Sequence, residues 1–380
     1  MIICGVIAEY NPFHNGHFWQ IKQIREQLKP DVLIVVMSGN FVQRGDFALV
    51  DKWQRTKMAL KAGVDLVVEL PIYGAVQPAD IFSYEAIKIL ANLGVTDLVF
   101  STENNQLDYL KIGREINRIL KNSKYFTDYK NTYATQFNKL LNDKIGVQIS
   151  QPNQLLGLSY AQMIDKYHLD INLVALTRQS SHHNQKELSG KISSASAIRT
   201  AIQNKQDISE TVPKFVLDLL NDSHLTDWNQ YFMYLKYQLL TISFDDLSNI
   251  YQVSEGLQFK LKQEIMNSHN LHEYLGKIKS KRYTYARLRR ICLYVLLHIT
   301  QVDMQNMRAN PYIHILGFNQ TGQNYLRIAK KMSQLPLVTK ISKKNGNRTG
   351  IIAREVQIDN ILDLIGVTKQ NFGRQPVFLK

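Results

Sequence analysis

The feature that most constrains the fold is an alternation of apolar runs with amphipathic segments over the first 200 residues. The apolar runs are rich in Val, Ile and Leu at successive positions, which is typical of strands buried on both faces. The predicted strands are 2–10, 31–40, 65–72, 96–103 and 171–179, with helices at 17–28, 52–63, 82–94, 160–168 and 194–204. This order predicts an α/β fold with a Rossmann-like parallel sheet between helical layers.

After residue 205 the pattern changes to consecutive helical segments with short polar connections, and mixed character returns at 311–380. We therefore expect two parts. Residues 1–205 would form the α/β domain, and residues 206–380 a mainly helical, mixed α/β, basic region. The boundary depends only on this change of pattern.

Charge is distributed unevenly between these parts. The chain of 380 residues has a formal net charge of +14, and residues 271–380 contain 19 Lys and Arg against 5 Asp and Glu. Residues 1–270 are therefore neutral overall. A basic end of this kind indicates a polyanionic partner, although a merely basic solvated surface is the alternative.

Several classes of protein are excluded by simple observations. Cys4 and Cys292 are far apart and lack a CxxC pattern, so neither a zinc site nor a redox pair is predicted. The pair His182–His183 has no carboxylate or cysteine at ligand spacing, which favours a solvated loop. No apolar run approaches the roughly 20 residues of a membrane span. We expect a soluble, cytoplasmic protein without a structural metal, and its oligomeric state stays open.

The strongest motif is the run from Glu9 to His17, EYNPFHNGH, between the first strand and the first helix. Backbone N–H groups at such a strand–turn–helix junction can bind a phosphate group. His14 and His17 can both donate hydrogen bonds to phosphate oxygens. The alternative is that both are ordinary polar residues at a helix start.

Two further segments carry side chains that can bind an anion. In ISSASAIR (192–199) the serines can cap a helix and contact phosphate, and Arg199 can hold it with paired donors. In SGNFVQRGD (38–46), Asn40, Gln43 and Arg44 suit a carboxylate or phosphate. The alternative for this second segment is a structural turn in which Arg44 pairs with Asp46.

Together HNGH and SSASAIR resemble the signatures of the HIGH-type nucleotidyltransferase superfamily. The segments EYNPFHNGH, 37–60, 63–71, 151–160, SSASAIR and KRYTYARLRR (281–290) are similar to those of the bacterial tRNA(Met) cytidine acetate ligase family. That resemblance implies activation of acetate by ATP to acetyl-adenylate. It also implies transfer of the acetyl group to N4 of the wobble cytidine of elongator tRNA(Met), which forms N4-acetylcytidine.

The resemblance also implies site residues, with His14, His17 and Arg199 as catalytic groups. The ATP contacts would be Ile7, Ala8, Glu9, Tyr10, Asn11, Pro12, Phe13, His14, Asn15, Gly16, His17, Ser101, Asn153, Arg178, Gln179, Ser194 and Ser196. Asn40, Gln43 and Arg44 would form a secondary substrate site. Mg²⁺ is expected to arrive with ATP. Position 101 departs from the family pattern, because a serine replaces the expected glycine and would be strained if the backbone had a positive φ.

The segment 277–290 has seven Lys and Arg with interleaved tyrosines. Cations neutralise phosphates, and tyrosine can stack on an unpaired base. The predicted tRNA-binding residues are Lys279, Lys281, Arg282, Tyr283, Arg287, Arg289 and Arg290. Two other functions stay open, a small-molecule nucleotidyltransferase of cofactor biosynthesis and a non-catalytic RNA-binding protein.

Overall fold

The computed structural model describes residues 1–121, 138–139, 141–143, 146, 149, 151–178, 188, 190–254 and 256–380. The first part of the chain alternates strands and helices in the predicted order. Its elements are β1 (Ile3–Ala8), α1 (Asn15–Gln23), β2 (Val32–Ser38), α2 (Lys52–Lys61), β3 (Leu66–Leu70), α3 (Ile72–Ala75), α4 (Ala79–Asn92), β4 (Asp97–Thr102), α5 (Tyr109–Lys121), α6 (Pro152–Lys166), β5 (Asn172–Thr177) and α7 (Ala195–Gln203). A π-helical turn, Ile24–Leu28, continues α1.

A run of helices follows, and strands return near the end. These elements are α8 (Lys214–Asn221), α9 (Trp228–Thr241), α10 (Phe244–Asn249), α11 (Leu257–Ile265), α12 (Leu271–Ile278), α13 (Tyr285–Leu296), α14 (Gln301–Ala309), β6 (Ile313–Asn319), α15 (Gln320–Met332), β7 (Leu337–Val338), α16 (Lys343–Gly346), α17 (Ala353–Asp359), a 3₁₀ turn (Asn360–Ile365) and β8 (Val377–Leu379).

The sheet has the order β5-β4-β1-β2-β3-β6-β7, and β8 pairs with β6. Strands β1 to β5 are mutually parallel, whereas β6 runs antiparallel to β3. The predicted parallel α/β fold is confirmed. The chain moves outward from β1 to β3, and β4 then returns to the other side of β1. The carboxyl ends of β1 and β4 therefore form a topological switch point, where open α/β sheets bind ligands.

Strands β6, β7 and β8 come from the part assigned to the C-terminal region, so the sheet crosses the predicted boundary at residue 205. A buried polar cluster also crosses it. The Lys52 ammonium lies 2.8 Å from Glu69 and 2.8 Å from Asp359, and His314 Nδ1 lies 2.5 Å from Glu69. All four side chains are almost completely buried. Breaking such a buried pair is strongly destabilising, so this cluster fixes the C-terminal region on the sheet.

Gly63 follows the C-cap of α2 and has φ at +105°. An added Cβ would meet only Ile21, at 3.8 Å, so the cost of a side chain here is purely conformational. We expect Gly63→Ala to lower the free energy of unfolding by about 1 kcal/mol, measured by urea titration.

Gly276 provides the matched control for this substitution. It lies within α12, where an added Cβ would contact nothing within 4 Å and φ is not positive. Gly276→Ala should therefore raise the free energy of unfolding by about 0.5–1 kcal/mol. Equal signs for the two substitutions would contradict the conformational explanation.

Candidate active site

A cleft of about 430 Å³ opens at the carboxyl ends of β1 and β4. It brings together segments that are far apart in the sequence. The sequence-predicted residues that line it are Ile7, Ala8, Glu9, Tyr10, Asn11, His14, Gly16, His17, Gln43, Arg44, Ser101, Asn153, Arg178, Ser196 and Arg199.

The two histidines of the motif are held by the first turn of α1. His14 Nδ1 accepts hydrogen bonds from the N–H groups of Gly16 and His17, at 3.1 and 3.4 Å. His17 Nδ1 in turn accepts from the His14 N–H, at 3.3 Å. The rings stack with centroids 3.7 Å apart. An Nδ1 atom that accepts must be unprotonated, so the proton of each neutral ring is on Nε2, as a donor.

Arg199 is positioned by α7 against the same loop. Its Nη1 donates to the carbonyl oxygen of Asn11, at 2.6 Å. Ser194 caps α7 by accepting from the Ala197 N–H at 3.1 Å, and its hydroxyl lies 3.1 Å from that of Ser196. Burial lowers the pKa of Arg199, while Asp46 and Glu9 oppose that shift. The guanidinium thus stays a cation beside the histidines.

Glu9 and the loop 39–47 form the wall next to Arg199. Glu9 Oε1 accepts from the Gln43 N–H at 3.0 Å, and Arg55 Nη1 donates to the Glu9 carbonyl at 2.8 Å. Burial raises the pKa of the Glu9 carboxyl, whereas the Gln43 N–H, Arg199 and Arg44 lower it.

The opposite end of the cleft is organised by Glu103, which the sequence analysis did not select. Its Oε1 accepts from Asn153 Nδ2 at 2.7 Å and lies 4.0 Å from Arg178 Nη1. Ser101 lies within β4, paired with Leu176 in extended backbone, so the expected strain at this position does not arise. The sequence does contain a signal for Glu103. It is a carboxylate just after the end of β4, two residues beyond the candidate contact Ser101.

Between these two ends the cleft wall is mainly apolar. The sequence does not reveal this wall, because an apolar side chain in a helix or strand is equally typical of the core. The additional lining residues are Trp19, Gln20, Ala79, Phe82, Phe100, Pro152, Leu155, Leu156, Tyr160 and Ala195. Phe100 and Tyr160 pack edge to face with centroids 6.0 Å apart. Such a wall suits the flat face of an aromatic ligand.

Some predicted residues do not line the cleft. Pro12 and Phe13 are buried, and Ser194 serves as the helix cap. Asn15 Nδ2 donates to the carbonyls of Lys191 and Glu210, at 2.9 and 2.8 Å. It therefore holds the start of α1 against the segments around residues 191 and 210. The predictions for Gln179 and for the pair His182–His183 fall outside the described residues.

Asn40 is also displaced from its predicted role at a secondary substrate site. It is 3% exposed, donates to Asp359 at 2.8 Å and accepts from the Lys52 N–H at 2.9 Å. The side chain belongs to the buried cluster around Lys52. Only Gln43 and Arg44 of that predicted group reach the cleft.

The loop 39–47 also contacts the basic segment, residues 277–290. Arg289 Nη1 lies 2.8 Å from Asp46 Oδ2, and Arg290 Nη1 donates to the Gln43 carbonyl at 3.5 Å. The alternative pairing of Arg44 with Asp46 is not what the structure shows, because Asp46 is engaged by Arg289 from α13.

The basic segment divides into exposed and buried members. Lys281 and Arg282 are exposed, and Lys279 and Arg287 lie over the rings of Tyr285 and Tyr283, at 5.5 and 4.7 Å. The structure corrects the assignments of Tyr283 and Arg290, which are only 6% and 8% exposed and cannot present a face to a large partner. Tyr285, at 51%, is the exposed tyrosine instead.

The part of the chain that the structure describes contains no group of three or more His, Cys, Asp or Glu side chains placed to hold a metal ion. Among the same residues, no helix combines the length and the apolar character that crossing a membrane requires.

Comparisons with known proteins agree with this geometry. Residues 1–375 match the HIGH Nucleotidyl Transferase family model. The tRNA(Met) cytidine acetate ligase of Latilactobacillus sakei is 44% identical, over 100% of this chain and 98% of the relative. That of Lactobacillus gasseri is 43% identical over 100% of both chains. The crystal structure of Thermotoga maritima TmcAL bound with alpha-thio ATP superimposes over 100% of both chains, with a TM-score of 0.88 and 27% identity. The chain therefore belongs to the tRNA(Met) cytidine acetate ligase family of HIGH nucleotidyltransferases.

Proposed function

We propose that this protein activates acetate with ATP and transfers the acetyl group to N4 of the wobble cytidine of elongator tRNA(Met). The single observation that carries the proposal is the convergence of His14, His17 and Arg199 on one cleft at the switch point of the sheet. The relatives named tRNA(Met) cytidine acetate ligase support the choice of substrates.

ATP would lie along the cleft with its phosphates at α1 and its base against the apolar wall. The Nε2–H groups of His14 and His17, the Arg199 guanidinium and the N-terminal end of α1 all suit phosphate oxygens. Phe100, Leu156 and Tyr160 suit the adenine ring. The alpha-thio ATP complex of the Thermotoga maritima relative supports a nucleotide site in this fold.

The first step is attack of an acetate oxygen on the α-phosphorus. The new P–O bond forms as the bond to the β-phosphate oxygen breaks, and pyrophosphate leaves with the electron pair. Acetate is already an anion, so this step needs no general base. The donors at His14, His17 and Arg199 stabilise the negative charge that develops on the phosphates. Mg²⁺ would enter with ATP, held mainly by phosphate oxygens, and would add to this charge stabilisation.

The second substrate would dock on the exposed Lys281 and Arg282 and the partly exposed Lys279 and Arg287, with Tyr285 as an exposed ring. Arg289 would act mainly through its pairing with Asp46 in the loop 39–47. An anticodon loop suits this arrangement because its bases are already unpaired, and presenting a cytosine amine costs less than extracting it from a duplex.

Incubation with ATP, labelled acetate and total tRNA, followed by nucleoside analysis, tests the proposal. We expect label in N4-acetylcytidine, with one AMP and one pyrophosphate formed for each acetyl group transferred. A small-molecule nucleotidyltransferase would instead give an adenylylated small product and ignore tRNA. A non-catalytic RNA-binding protein would bind tRNA without turnover. Neither of these alternatives is favoured, because the relatives that match over the whole chain are named as ligases.

Replacing Glu103 with glutamine should weaken ATP binding and leave the chemistry unchanged. Glu103 orients Asn153 and Arg178 at the far end of the cleft, and a partly exposed contact of this kind contributes about 1 kcal/mol. We expect KM for ATP to rise about fivefold at constant kcat, measured by acetate-dependent ATP–pyrophosphate exchange. A fall in kcat with an unchanged KM would contradict this positioning role.

A further inference from the structure

Glu9 places a carboxylate in a cleft that is proposed to bind two anionic substrates. Of the described residues that line the cleft, Glu9 is the one carboxylate. A cleft that binds a triphosphate and acetate gains nothing from a negative charge, because like charges at close range repel. The two anionic substrates alone therefore do not explain a carboxylate at this place.

Glu9 is held in place by two independent contacts. Its Oε1 accepts from the Gln43 N–H at 3.0 Å. Its backbone carbonyl accepts from Arg55, whose Nη1 also donates to the Ser38 carbonyl at 2.8 Å. Arg55 is completely buried, so the ends of β1 and β2 are clamped together at this point. The carboxylate is thus preorganised, as a group that acts on a reacting atom must be.

Glu9 also lies on the side of the cleft that faces the basic segment. Gln43 contacts Glu9 with its N–H and Arg290 of α13 with its carbonyl. On the other side, Asn11, two residues along the loop, accepts from Arg199 at 2.6 Å. The carboxylate therefore stands between Arg199, proposed for the phosphates, and the loop 39–47 that contacts α13.

We propose that Glu9 accepts the proton that the acceptor amine loses in the second step, an inference that rests on the proposed function. The N4 lone pair of cytidine attacks the carbonyl carbon of acetyl-adenylate and forms the C–N bond. The bond to the phosphate oxygen breaks, AMP leaves with the electron pair, and one N4 proton passes to a Glu9 oxygen. Carboxylates are also the side chains that accept hydrogen bonds from the cytosine N4 amine, so Glu9 would help select this base.

The electrostatic surroundings of Glu9 fit a base. Burial raises the pKa of its carboxyl, and the nearby Asp46 raises it further, while the Gln43 N–H, Arg199 and Arg44 oppose the shift. A raised pKa strengthens the carboxylate as a proton acceptor. The transfer step should then lose rate as the pH falls through this raised pKa, where Glu9 becomes protonated.

Glu9→Gln separates this role from a purely structural one. The amide oxygen of glutamine can still accept from the Gln43 N–H, so the loop contact is kept while the base is lost. We expect acetate-dependent ATP–pyrophosphate exchange to stay within threefold of wild type, or to rise. Single-turnover transfer from enzyme-bound acetyl-adenylate to tRNA should fall about 100-fold or more. The acidic limb of the transfer rate should disappear with it.

Glu26→Gln is the matched control, since it removes the same charge at an exposed glutamate outside the cleft lining and should leave both exchange and transfer unchanged. Wild-type transfer by Glu9→Gln would overturn the assignment. Parallel loss of exchange and transfer, with a higher Mg²⁺ requirement, would also overturn it and would assign Glu9 to the metal–ATP complex. Wild-type protein without acetate-dependent exchange would overturn the proposed function itself, and the role of Glu9 with it.

Discussion

Replacing His17 with alanine is expected to lower acetate-dependent ATP–pyrophosphate exchange about 10²–10³-fold. That is the effect of removing one preorganised donor from a site where negative charge develops. The Nδ1 contact fixes the His17 ring in α1 and leaves the proton on Nε2, so alanine removes one preorganised donor from the cleft.

The same substitution should leave tRNA affinity within a few-fold of wild type. His17 lies at the start of α1, whereas the cations proposed for tRNA belong to the segment 279–287. Exchange assays and filter binding in parallel measure the two effects. His272→Ala is the control, because His272 is an exposed histidine on α12 outside the cleft lining. A large loss of tRNA binding by His17→Ala would contradict the separation of the two roles.

The parallel sheet could be predicted because each of its strands is recognisable from a short local stretch of sequence. Each of β1 to β5 is a short run of unbroken apolar residues between helical segments, and such runs predict buried strands without any knowledge of their partners. The antiparallel pairing of β6 with β3 joins residues about 250 positions apart. Sequence periodicity carries no information on such pairing, so the sequence does not indicate that the C-terminal strands join this sheet.

The candidate site could be predicted where its residues form a contiguous motif. His14, His17 and Arg199 were identified from HNGH and SSASAIR. Glu103 and the apolar wall of the cleft could not be identified, because their role depends on which elements meet at the switch point. Asn40 was assigned to the site because amides often bind anions. Its burial against Asp359, 319 residues away, could not be read from the local sequence.

In the basic segment, too, the sequence does not show which cations are available to a partner. A run of cations predicts a basic surface, but helical geometry turns some members inward. Leu288 and Arg290 of α13 face the core, while Tyr285 is exposed. Arg289 is directed to Asp46, so part of the charge organises the cleft wall and part stays on the surface. The count of cations thus overstates the number available to a polyanion.

Replacing Lys281 and Arg282 together with alanine is expected to weaken tRNA binding roughly ten- to thirtyfold. Each side chain is exposed, and a charge-assisted contact to phosphate contributes about 1 kcal/mol or somewhat more. Two lost phosphate contacts should also flatten the slope of log K against log salt by about 2 units. Filter binding over a salt series measures both quantities.

Lys330→Ala/Lys331→Ala gives the control for this change in charge. Both lysines are exposed on α15, next to Met332, whose side chain lies beside Gly94 just before β4 begins. They therefore lie at the amino ends of the parallel strands, away from the cleft, and their removal should leave the salt slope unchanged. If both double variants flattened the slope equally, tRNA would be responding to the net charge of the protein. Only a loss confined to Lys281 and Arg282 identifies the segment as a docking surface, because equal charge removed at the opposite end of the sheet would then have no effect.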